Sequence, residues 1–206
     1  GNVLPSQGWP NVIINTSTRK AFRDNIRGPL SIFTNLKGES TLEASNRRVT
    51  IKEDFFYVTN HDQYYTLDIN QPSPVETFNI HFGEYFTDQV LSSLSKTGEG
   101  LLENSFENPG VRMEFHNKLY HRDASIQQVI YEIRNQTSPS SCWLEEKLYE
   151  LMANLLRKET SLLRIQASLP ATKTSTRKEI LKRLILVTDY IHEHLQDDLS
   201  LEQLAS

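Results

Sequence analysis

Six histidines, one cysteine and scattered carboxylates are what this 206-residue chain offers for chemistry. Two histidines at i and i+2 on one strand face the same side and can grip one ion. His61 and His81 fall among strand-like segments, and each stands alone there. His192 and His194 have the right spacing but sit on a predicted helix, where two residues span about 200° and the imidazoles diverge. No metal centre and no cofactor are expected. Cys142 falls at a predicted helix start, a position that lowers a thiol pKa. It lies away from the strand-rich part, and an incidental cysteine is the better reading. No G-x-S-x-G, P-loop or G-x-G-x-x-G stretch occurs. No catalytic residue is assigned, and the chain is expected not to be an enzyme.

Binding is the chemistry that remains. A pocket needs a few polar groups among apolar and aromatic walls. In the stretch 55–58, Phe55 and Tyr57 share one face, and Phe56 and Val58 the other. His61, Tyr64 and Tyr65 follow, and Asn79 and His81 share a face further on. The ligand-contact candidates are Tyr57, His61, Tyr65 and His81, with Arg48 behind them. For each, the competing reading is a satisfied core or surface residue. With few acids facing inward and several aromatic hydroxyls, a small-molecule effector such as a sugar is expected.

The elements that must position these residues change character along the chain. Up to about residue 82, short runs rich in β-branched and aromatic residues alternate with polar turns, as in a small barrel or sandwich. Lys37-Gly38-Glu39 and Ser45-Asn46-Arg47 stand where hairpin turns belong, and Asn70 to Pro74 reads as a loop. Residues 84–95 have helical spacing, and 111–115 alternate like a further strand. Ser125 and Gln128 form a capping box before the stripe Ile126, Val129, Ile130 and Ile133. A helix over about 142–165 carries Leu144, Leu148, Leu151 and Leu155, a short leucine seam. Residues 167–178 have linker composition. Beyond them, Ile180, Leu184, Val187, Ile191 and Leu195 share one helical face, Asp197-Asp198-Leu199 breaks the helix, and Ser200 with Gln203 caps another. Lys173, Arg177, Lys178, Lys182 and Arg183 form a basic cluster, either a phosphate contact or a solvated linker.

Composition bounds the possibilities. Nine Phe, eight Tyr and two Trp suffice for a real core, and a net charge of −4 makes a poor nucleic-acid binder. A single cysteine excludes an internal disulfide. One thiol and no secretory leader predict a cytoplasmic protein, and no apolar run approaches the roughly 18 residues of a membrane span.

The stretch "TDYIHEHLQDDLSLEQLA" at 188–205 resembles the opening of the DNA-binding domain of AraC-family transcription regulators. Gly38 in a hairpin, Glu53-Asp54-Phe55-Phe56, His61 and "NIHFGEYF" at 79–86 match that family in order, although its glycine usually stands one residue further on. The resemblance implies an α+β fold: a small cupin-like β-barrel followed by a helical dimerisation layer and a truncated helix-turn-helix start. It divides the chain into an effector-binding and dimerisation domain (1–165), a linker (166–179) and the first helices of a DNA-binding domain (180–206). It further implies a homodimer through Leu148, Leu151, Leu155 and Leu162, and operator DNA as partner of residues beyond 206. These 206 residues alone are expected to bind DNA weakly. Two other readings stay open, a metal-dependent cupin enzyme and a barrel that docks a protein partner.

Overall fold

The computed structural model describes residues 8–96 and 114–194, with the side chains of 94–96 left aside. The described residues form seven strands and four helices. They are β1 (Val12–Arg27), β2 (Ser31–Lys37), β3 (Ser40–Ala44), β4 (Arg47–Ile51), β5 (Phe55–Thr59), β6 (Tyr64–His81), α1 (Glu84–Lys96), β7 (Leu119–His121), α2 (Ala124–Asn135), α3 (Ser141–Ser168) and α4 (Thr174–Glu193).

The strands make one antiparallel sheet in the order β4-β3-β6-β2-β5-β7, with β1 paired to β6. Alternation decides which side chains meet. Phe33, Leu42, Val49, Ile51, Phe55, Tyr57 and Leu119 close on one another inside a nearly closed barrel. The opposite face, with Ile32, Phe56, Val58, Phe78 and Ile80, packs against the helices. β5 is therefore buried at every position. Its missed partner β7 is only three residues long, too short to show a period. The stretch 114–115 is not strand, and 111–113 lie outside the described residues.

Two turns come out where expected. Gly38 takes φ +77°, which an L side chain rarely adopts, and Ser45 and Asn46 have φ of 52° and 59°, the pair a tight hairpin needs. The expected loop at Asn70–Pro74 is instead part of β6. The ladder with β1 jumps from Val75↔Thr18 to Asn70↔Lys20, so Gln71 to Pro74 bulge against Arg19 alone. The two prolines sit in that bulge, where no ladder donor is required of them.

Helix α2 buries Ile126, Val129, Ile130 and Ile133 as expected, but its cap is Asp123, which accepts from the Ile126 N–H at 3.2 Å. Ser125 instead donates to Asp123 at 2.7 Å. On α3 the leucine seam faces the chain's own core: Leu148 and Leu151 are 0% exposed, Leu155 1%, and Leu162 packs at the edge. Leu148, Leu151 and Leu155 are thus occupied within one chain, and Leu162 is only partly buried. The connection between α3 and α4 is also shorter than the expected linker of 166–179. Residues 166–168 finish α3 and 174–179 open α4, leaving 169–173 between them. On α4 the buried positions are Leu181, Ile185 and Asp189, not the expected Ile180, Leu184, Val187 and Ile191. Leu195 and the expected second helix lie outside the described residues.

Candidate functional site

Strand β6 wraps so far round the barrel that residues from its two ends meet on one ring. Tyr65 packs edge-on against Phe33 at 4.7 Å, and His81 does the same at 5.9 Å. The register places Ser31 between His81 on β6 and Thr59 on β5. The Ser31 hydroxyl donates to the Pro29 carbonyl at 2.8 Å and lies 2.7 Å from His81 Nδ1. Having used its proton, that hydroxyl accepts from Nδ1, which leaves Nε2 of a neutral His81 as an acceptor. Burial lowers the His81 pKa and keeps the ring neutral. One end of the barrel thus carries a polar row, His81, Ser31 and Thr59, against an aromatic wall of Phe33 and Tyr65.

Two hydroxyls here lack partners. Thr59 Oγ1 and the Tyr57 hydroxyl are buried with no hydrogen bond among the described residues. Burial pushes the Tyr57 phenol up to about 12, with Arg47 pulling weakly the other way. Of the four expected contact residues, the structure brings Tyr65 and His81 together on Phe33. Tyr57 lies deeper, fully enclosed. His61 is engaged outward, with Nε2 at 2.8 Å from Glu84 and 3.4 Å from Asp62. Arg48 is exposed and 3.7 Å from Asp68. Ser31 and Thr59 were missed. Stepping two residues on from Tyr57 would have found Thr59, but Ser31 needed the strand register. Gly83, just past His81, is required by close approach: a Cβ there would stand 2.7 Å from the Trp9 carbonyl oxygen.

A second feature ties the barrel to its C-terminal helix. β4 and β7 end the strand order and do not pair with each other. Asp189 of α4, 1% exposed, joins them. It binds the Arg47 guanidinium of β4 at 2.9 Å and accepts the Leu119 N–H of β7 at 3.1 Å. Glu193 accepts the Thr50 N–H of β4 at 2.7 Å, and His192 lies tilted on Phe55 at 4.5 Å. Unpaired edge donors are thus satisfied by a helix. Burial raises the Asp189 pKa, and Arg47 opposes it.

Among the described residues, no three His, Cys, Asp or Glu side chains come close enough to hold a metal ion. Cys142 is exposed at the start of α3. No helix of the described residues is long and apolar enough to cross a membrane.

The nearly closed antiparallel barrel with helices on one face is a cupin-like α+β fold. Among solved structures the chain is similar to ToxT from Vibrio cholerae, at 12% identity and a TM-score of 0.50, over 95% of this chain and 79% of that one. A further ToxT structure with an unsaturated fatty acid bound gives 14% identity and 0.49, over 98% and 78%. A cupin superfamily protein from Desulfitobacterium hafniense gives 8% and 0.33, over 40% and 75%. No family model and no curated protein matches the sequence.

Proposed function

We propose that this chain is the sensing part of a ligand-responsive transcription regulator of the AraC type. The observation that carries the reading is Asp189. One buried carboxylate on the helix leading towards the C-terminus bridges the two edge strands of the barrel. A molecule that alters the barrel also alters the seat of α4, and so the arrangement of whatever α4 leads to. It does so to the extent that it binds one arrangement more tightly than the other. The sequence likeness of 188–205 to an AraC-type DNA-binding domain supports the same reading. DNA contact and pairing of two chains belong to this proposal; the pairing surface is then one other than the buried Leu148, Leu151 and Leu155.

The effector site we assign is the end of the barrel formed by Tyr65, His81, Ser31 and Thr59, with Tyr57 beneath. Its walls are Phe33, Leu67 and other apolar side chains. A sugar would leave many hydroxyls without partners there, so a mostly apolar molecule with one polar group fits better. Thermal unfolding across a panel of fatty acids, aromatic acids and sugars tests this. An apolar acid is expected to raise the melting temperature, and His81→Ala with Thr59→Val to abolish the rise. A panel without effect, or iron, zinc or manganese bound at one per chain, would replace this reading with the cupin-enzyme or protein-docking alternatives.

A further inference from the structure

We propose that the groove between β7, the start of α2 and the middle of α3 binds a small organic polyanion, at a site separate from the barrel interior. The groove has a volume of about 470 Å³, within the range of small-molecule pockets. Three cations line it: Lys118, Arg157 and Lys158. Lys158 pairs with Asp123, the α2 cap. Burial raises the Asp123 pKa, but hydrogen bonds from Lys158, Ser125 and the Ile126 N–H outweigh it and hold the carboxyl down at about 2. The other two cations have no carboxylate within ion-pair distance among the described residues. Arg157 donates to the neutral Asn154 Oδ1 at 2.8 Å. The Lys118 ammonium stands 5.2 Å above the Tyr120 ring and donates no hydrogen bond among the described residues.

Among the described residues, some cations elsewhere on the surface are paired, and others, such as Arg19 and Lys178, are not. Arg27 pairs with Asp62, Arg134 with Glu76, Lys147 with Glu132 and Arg183 with Glu179. The acids that influence Lys118, Glu159 and Asp189, are already engaged. Glu159 holds His116 and the Tyr120 hydroxyl, and Asp189 holds Arg47 and the Leu119 N–H. Half-burying an ammonium without a directly paired carboxylate is costly, and burial lowers the Lys118 pKa although Asp189 and Glu159 pull it back up. A carboxylate or phosphate group in the groove would supply the missing acceptor, and Leu162 on the rim offers an apolar flank for a carbon skeleton. Because Lys118 adjoins Leu119, which Asp189 anchors, the groove also abuts the seat of α4.

Calorimetric titration with citrate and with inorganic phosphate, at an ionic strength fixed with sodium chloride, tests the site without reference to any barrel effector. Saturable binding of one or both is expected. Citrate alone would mark a carboxylate site and phosphate alone a phosphate-ester site. Lys118→Gln and Arg157→Gln should each weaken binding about tenfold or more, while Arg19→Gln, exposed on β1, leaves it unchanged. If Lys118→Gln fails to fold, the exposed Arg157 carries the comparison. Absence of binding by both probes, or equal binding in Arg157→Gln, overturns the proposal and leaves the regulator reading standing.

Discussion

Buried polar side chains carry the specific features of this molecule. Arg47 and Asp189 are the case with the largest consequence, since the carboxylate is 2% exposed and its partner 21%. Removing one member of a buried pair leaves the other charge without compensation. Arg47→Met is therefore expected to cost about 3 kcal/mol in urea unfolding, far more than Arg48→Met next to it on the exposed face. Equal losses would show that the seam contributes nothing. His81 supplies a pH dependence. Its pKa is lowered by burial, so the unfolded chain takes up a proton first as pH falls. Its contribution is complete above the unfolded value and is lost as pH drops through the folded one. His192 is lowered by burial in the same direction. Stability should thus decline on acidification from about pH 7 to about pH 5, and His81→Gln should flatten part of that slope. A slope unchanged in the variant would assign it to other groups.

At the scale of elements, α3 and α4 show how one helical pattern can serve different partners. The spacing of Leu144, Leu148, Leu151 and Leu155 suits a seam between two chains or a core within one. The barrel's outer face takes it up, so Leu151→Ala is expected to cost about 2–5 kcal/mol by leaving a cavity. Paired aspartates at 151 and 155 should unfold the domain rather than yield a folded monomer; sedimentation together with circular dichroism separates the two outcomes. On α4 the sequence stripe Ile180, Val187 and Ile191 is only partly buried, and Leu184 remains 45% exposed. The buried face holds Leu181, Ile185 and the charged Asp189, which no hydrophobic pattern would select. β6 teaches the same lesson for strands. Two prolines within five residues read as a loop, yet a bulge lets the strand run on.

For the whole molecule, the order of strands and then helices, the hairpin turns at Gly38 and Ser45-Asn46, and the α+β class were legible in the chain. They follow from local rules: side-chain periods of two and about 3.6, and backbone conformations that few residues tolerate. The candidate site was legible only in part. Tyr65 and His81 could be named as inward-facing polar groups, but fifteen intervening positions hide the fact that they share Phe33. Ser31 and Thr59 enter only through strand register, and the cationic groove through the packing of β7 against α3. The sequence alone determined what each segment prefers to be, because preference is a property of neighbouring residues. Tertiary structure alone decided which faces met, that α4 closes the barrel's seam and which charges were left without partners. Those outcomes depend on contacts between residues far apart in the chain, where desolvation and geometry, not local pattern, set the energy.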